Sequence, residues 1–202
     1  MNIEFHFDFG SPNAYLSHLV IADIEKRTGE KIQYIPVLIG GVFKATGNAS
    51  PAVTLAGIRN KGEYQEIETA RFLKKHNITC YKRNPFFPVN TLQIMRGAIF
   101  AQGQGYFKQY VDEVYRHMWS EPKKMDEAGI IKSALDSSGL PGDVIIAGTR
   151  DPEVKQALIG NTERSVEMGS FGSPTFYVDN EIFFGKDKLV DVEEAINTRQ
   201  KG

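Results

Sequence analysis

The hydroxyl of Ser11 has the most chemically pointed setting in this sequence. It follows Ile3-Glu4-Phe5-His6-Phe7-Asp8-Phe9-Gly10 and precedes Pro12-Asn13-Ala14-Tyr15. Ile3, Phe5, Phe7 and Phe9 alternate with Glu4, His6 and Asp8, and a period of two predicts a strand. Gly10 breaks the alternation. Leu16, Leu19, Val20 and Ile24 then recur at helical spacing until Gly29. Ser11 therefore takes the N-cap position, and Pro12 takes the first helical position, where its missing N–H costs nothing. A helix start presents unpaired N–H groups and partial positive charge, which hold anions. With a hydroxyl donor at the same point, a thiolate is an anion such a site suits. From these residues alone a plain capping role is the usual one for a serine before a proline at a helix start.

Other reactive side chains have less to offer. His6, His18, His76 and His117 show no ligand spacing, so no metal site is expected. Cys80 is the single cysteine, which excludes an internal disulfide, and it reads as a buried structural residue. Lysine and arginine number 24 against 25 acidic residues, a net charge of −1, so no global field favours nucleic acid or an anionic membrane. Apolar residues make up 41% of the 202, enough for a proper core, and no apolar run approaches a membrane span of ~20 residues. The chain enters its first strand with no basic-then-apolar leader, and a cytoplasmic protein is expected.

The elements that must position Ser11 follow in order. Residues 32–38 read as a second strand, parallel to the first because a helix joins them. Residues 40–51 are rich in Gly and small polar residues and read as loops with a short helix. Residues 62–76 read as a helix, and Asn84-Pro85-Phe86-Phe87-Pro88 as a breaker. Helices are expected over 91–101, 106–119, 126–137, 141–148 and 152–168. Two strands across an Asp179-Asn180 turn occupy 172–185, and a closing helix spans 187–198.

A βαβ half, a helical block and a ββα half, with Ser173-Pro174-Thr175 entering the third strand, resemble the thioredoxin fold with a large helical insertion. That architecture is similar to DsbA and the kappa-class glutathione transferases. It implies a thioredoxin-like α/β domain formed by residues 1–39 and 169–202, with 40–168 as the insertion, and a cis proline at Pro174 beside the first helix. Redox members open that helix with Cys-x-x-Cys; Ser11 and Ala14 stand there instead, so disulfide chemistry is excluded.

Within that group the sequence resembles the 2-hydroxychromene-2-carboxylate isomerase family along essentially its whole length. The matching segments are Phe7-Asp8-Phe9-Gly10-Ser11-Pro12-Asn13-Ala14-Tyr15-Leu16, Thr46-Gly47-Asn48-Ala49-Ser50-Pro51, Asn60-Lys61-Gly62, Phe171-Gly172-Ser173-Pro174-Thr175 and Phe184-Gly185-Lys186-Asp187-Lys188. Lys186 departs from the small polar residue expected there. The resemblance implies glutathione as cofactor, a homodimer, and an aromatic keto acid substrate from naphthalene-type catabolism; charge and hydropathy lead to the expectation of no nucleic-acid or membrane partner. By position, Ser11 would be catalytic, hydrogen-bonding the glutathione sulfur. Asn48, Lys61, Ser173, Pro174, Phe184, Gly185, Lys186 and Asp187 would complete the glutathione site, and Lys44, Asn48 and Arg83 would hold the substrate carboxylate. Left open are a helix-capping role for Asp187 and plain surface roles for Lys44, Lys61 and Arg83. A kappa-like transferase and a non-catalytic thioredoxin-like binding protein are the alternative functions.

Overall fold

The computed structural model describes residues 1–55 and 57–200. Four strands, β1 (Ile3–Phe7), β2 (Gln33–Pro36), β3 (Thr175–Val178) and β4 (Glu181–Phe184), form one sheet in the order β2-β1-β3-β4. The β1–β2 pair is parallel, with Glu4 opposite Gln33 and Phe7 opposite Pro36. The β1–β3 and β3–β4 pairs are antiparallel, and Asp179 takes a positive φ in the turn joining the last two strands. Helix α1 (Pro12–Thr28) crosses between β1 and β2 and ends at Gly29, whose left-handed φ of 74° suits a residue without Cβ.

The helical segment comprises α2 (Ile39–Thr46), α3 (Pro51–Thr54), α4 (Lys61–Lys75), α5 (Leu92–Gln102), α6 (Phe107–Trp119), α7 (Ala128–Ser137), α8 (Gly142–Gly148) and α9 (Pro152–Glu167). A single 3-10 turn, Lys186–Lys188, precedes α10 (Leu189–Arg199). The expected elements are all present with shifted ends. The first strand stops at Phe7 rather than Phe9, because Asp8 leaves the ladder and its carboxylate turns back to accept from Gly10 N at 2.7 Å. The second strand is shorter than 32–38, because Leu38 N and Ile39 N donate to side chains and open α2. The closing helix begins at Leu189, two residues later than expected, behind the 3-10 turn.

The odd side of β1 builds the aromatic core. Phe5 stacks on Phe176 with ring centroids 5.0 Å apart and meets Tyr34 edge-on at 4.9 Å, and Phe9 meets Tyr115 of α6 at 4.8 Å. Its polar side is buried as well: Glu4, His6 and Asp8 are all inside. A central strand flanked by partners on both edges, with helices over both faces, has no solvent side. Glu4 Oε2 lies 2.7 Å from His6 Nε2, His6 Nδ1 lies 2.8 Å from Ser165 Oγ on α9, and Arg164 closes the group with two bonds to Glu4. The Ser-His-Glu order has the geometry of a proton relay, but Ser165 and His6 are fully buried and the group serves to satisfy a polar strand face.

The helical segment also fixes the β1–α1 connection. Trp119 Nε1 donates to Phe9 O at 2.7 Å, and Phe9 N donates to Met95 Sδ at 3.4 Å. Both groups of the connection are thus held from helices more than eighty residues away in sequence.

Candidate active site

Ser11 caps α1 as its sequence context requires: its backbone is extended, its Oγ accepts from Ala14 N at 3.2 Å, and Pro12 follows at the first helical position. The first turn carries no acidic side chain. The Ser173–Pro174 peptide bond is cis, and it brings Ser173 directly onto this point. Ser11 Oγ donates to Ser173 O at 2.8 Å, and Asp8 N donates to Ser173 Oγ at 3.1 Å. Both serines are nearly buried. The helix start and the cis-proline segment, 162 residues apart, thus meet in one polar contact.

Asp8 is the support that the sequence reading did not single out. Its Oδ2 accepts from Ile39 N at 2.8 Å and from Thr91 Oγ1 at 3.0 Å, and its Oδ1 accepts from Gly10 N at 2.7 Å. Complete burial pushes its pKa up, and these three donors oppose the shift. Three connections meet at this carboxylate: β1 into α1, β2 into α2, and the approach to α5. The available signal was an aspartate between two phenylalanines just before a Gly-Ser-Pro turn.

Around Pro174 the structure gathers part of the expected site. Gly185 N donates to Pro174 O at 3.0 Å. Asn48 Nδ2 donates to Phe171 O at 2.8 Å, fastening the end of α2 to the cis-proline segment. Phe171 and Phe184 pack with centroids 4.3 Å apart, and both are exposed. The Phe184 ring lies so close over Gly172 that a Cβ there would meet it at 2.9 Å and the exposed ring would have to shift. Arg83 lies two residues past Tyr81, whose ring stacks toward Tyr15 in the first turn of α1 at 6.4 Å. Its guanidinium is exposed and 3.9 Å from the exposed Glu66, a pairing too loose to fix it.

Other expected residues lie elsewhere. Lys186 is buried; its Nζ is 2.5 Å from Asp187 Oδ1 and 5.0 Å from the centroid of the Phe72 ring. Its ammonium borders a crevice formed with Val20 and Ile24, in the second half of α1, away from Ser11 at its start. Asp187 projects outward from the 3-10 turn rather than capping α10. Lys61 is exposed at the start of α4. Lys44 faces a separate cavity between α2, α5 and α9. Cys80 is exposed, not buried as expected, with Sγ 3.3 Å from the Tyr15 hydroxyl; it lies on an irregular segment that leaves it at the surface. Among the described residues no cluster of metal-ligating side chains occurs.

Comparison with known proteins places this geometry in context. The DSBA-like thioredoxin domain profile matches residues 2–197. A 2-hydroxychromene-2-carboxylate isomerase of Sphingobium xenophagum is 27% identical over 199 residues, covering 96% of this chain and 97% of its own. Glutathione S-transferase kappa 1 of Caenorhabditis elegans is 23% identical, with coverage of 98% and 92%. The solved structure of a 2-hydroxychromene-2-carboxylate isomerase superposes with a TM-score of 0.83 at 21% identity, covering 100% of this chain and 97% of the other. The cytosolic disulfide reductase DsbM of Pseudomonas aeruginosa, solved with GSH, superposes with a TM-score of 0.64 at 11% identity and full coverage of both chains.

Proposed function

Because this chain belongs to the DSBA-like thioredoxin domain family, and carries Ser11 where redox members carry a cysteine, we propose that it is a glutathione-dependent isomerase of the 2-hydroxychromene-2-carboxylate type, acting in the breakdown of naphthalene-type aromatics. The observation that carries this reading is the 2.8 Å contact between Ser11 Oγ and Ser173 O, which joins an anion-favouring helix start to a cis-proline segment. Relatives bearing the isomerase name, and others named as kappa-class transferases, align over nearly the whole chain.

The residues fit glutathione. Ser173 N–H has no intramolecular partner among the described residues, so the segment can pair with a cysteinyl backbone in strand-like fashion. The Ser11 hydroxyl and the helix N-terminus together favour an anionic sulfur. Asn48 and the Phe171–Phe184 pair border the segment. When bound, glutathione supplies a thiolate that adds to the conjugated alkene of the ring-opened substrate and leaves after bond rotation. Ser11 holds that sulfur as an anion by turning its proton from Ser173 O toward it. Arg83, free to reorient, holds the acid end of the substrate, for which its planar fork is suited.

The chain acts as a homodimer in this reading. The first two turns of α4, residues 61–67, are exposed on every side, and Tyr64 and Ile67 are apolar. An isolated helix of that length is marginal in water, so a second copy covering it would stabilise it. Cytoplasmic residence fits a thiol cofactor and the lone exposed thiol of Cys80. No helix among the described residues is long and apolar enough to cross a membrane.

The test is turnover with a 2-hydroxychromene-2-carboxylate, followed by absorbance with free thiol measured in parallel. Isomerisation that requires glutathione and leaves its concentration unchanged is the expected result. Accumulation of a glutathione conjugate would make the protein a transferase, and activity equal without glutathione would remove the thiol from the mechanism.

A further inference from the structure

A cavity of about 360 Å³ lies between α2, α5 and α9. Its lining is largely apolar, with Leu38, Leu92, Leu158 and Val166 among the contributors. The one hydroxyl in it, Thr162, is already satisfied: it donates to Leu158 O at 2.7 Å and accepts from Leu38 N at 3.0 Å. The charges come from three elements. Lys44 of α2, Arg96 of α5 and Lys155 of α9 border the cavity against a single carboxylate, Glu163. Among the described residues, none of the three cations has an ion-pair or side-chain hydrogen-bond partner, and Arg96 and Lys155 are half-buried. Unpaired cations held at an apolar cavity of ligand size form a recognisable pattern: an apolar body below and a negative group above.

The cavity is distinct from the Ser11–Ser173 contact. Helix α2 stands between the two: Phe43 reaches toward Gly172 of the cis-proline segment, whereas Lys44, the next residue and about 100° further round the helix, faces the cavity together with Gly41 and Ala45.

We infer that this cavity is a second binding site, for a small amphipathic carboxylate whose aromatic or aliphatic body fills the apolar lining and whose acid group meets Arg96, Lys155 and Lys44. The inference does not depend on the isomerase reading: of the residues that the family resemblance gives to glutathione or substrate it uses only Lys44, which faces this cavity, and Arg96 and Lys155 carry it.

The probe is 2-naphthoate, titrated by calorimetry into the full-length protein, with 2-naphthol as a neutral counterpart of the same body. One site per chain is expected, at least tenfold tighter for the acid than for the alcohol and unchanged by saturating glutathione. Lys155→Gln should weaken 2-naphthoate about tenfold, and the double variant Arg96→Gln with Lys155→Gln further, while isomerase activity at low 2-naphthoate stays at the parent level. Lys155 is half-buried on a helix and has no side-chain partner to lose among the described residues, so its variant tests the site even if a change at Arg96 perturbs folding. Displacement of 2-naphthoate by glutathione, equal binding of acid and alcohol, or binding indifferent to Lys155→Gln would overturn the assignment. So would affinity that falls as protein concentration rises, which would mean that a second copy of the chain covers the opening.

Discussion

Replacing Ser11 by alanine removes one hydroxyl from the centre of the proposed site, and its effect follows from what that hydroxyl already does. Its single proton is donated to Ser173 O at 2.8 Å, so a bound sulfur must draw it away. A hydrogen bond to a charged acceptor is worth about 1.5–3 kcal/mol and the neutral bond it replaces about 0.5–1.5, which leaves roughly 1.25 kcal/mol at mid-range. That is about one pKa unit. The helix terminus adds about 0.3–1 kcal/mol and survives the substitution. From a free thiol near ~8.5, the bound thiol should titrate near ~7 in the parent and near ~8 in Ser11→Ala. Ultraviolet difference absorbance of the thiolate, recorded against pH at saturating glutathione, reads both values. The variant also loses its N-cap bond from Ala14 N, so urea unfolding should show a loss of about 0.5–2 kcal/mol. Restoring a hydroxyl with Ser11→Thr should return the titration toward the parent. Coincident titrations for parent and alanine variant, with glutathione bound to both, would refute the role given to Ser11.

Four further outcomes are expected. Gly172→Ala places a Cβ 2.9 Å from the Phe184 ring, so it should cost about 1–3 kcal/mol in thermal or urea unfolding and weaken glutathione binding by shifting the cis-proline segment. Asn48→Ala cuts the bond to Phe171 O and should raise the glutathione KM about 2- to 10-fold with kcat less affected. Asp8→Asn presents an amide N–H to one of three donors, and a loss of about 1–3 kcal/mol in urea unfolding, with activity reduced in step, should follow. Burial alone would raise the pKa of Glu4, but hydrogen bonds from Arg164, His6 and Asn2 outweigh it and hold the carboxyl at about 2, below its ordinary 4.5. A depressed carboxyl stabilises the fold fully above pH 4.5, and that stability is lost as pH falls toward 2. Urea midpoints measured between pH 6 and pH 3 should therefore fall more steeply for the parent than for Glu4→Gln, and parallel curves would contradict the pairing.

Local signals were sufficient wherever neighbouring residues dictate backbone conformation. The strand into Gly10, the cap at Ser11, the proline start of α1 and the stop at Gly29 are short-range effects, and the structure has each of them. The resemblance to a thioredoxin fold rested on element order and on Ser173-Pro174, and both stand where it put them. Side-chain destinations were less legible. A period of two in β1 told which residues share a face, but not that a helix covers the polar one. The departure from the family pattern at Lys186 gave no sign that the ammonium would be drawn inward onto Phe72. Cys80 read as core by residue type alone and is exposed.

The chain's own order of residues therefore determined its strands, its helix ends and the reactive potential of Ser11, because hydrogen bonding over a few residues and the missing N–H of proline act without distant partners. Tertiary structure decided what that potential is joined to. Only packing could set Ser173 O against Ser11, gather three connections on the Asp8 carboxylate, and turn Phe43 toward the cis-proline segment and Lys44 toward the α2–α5–α9 cavity. The direction of a long side chain depends on which helix faces it, and contacts between segments more than a hundred residues apart leave no mark on local sequence pattern.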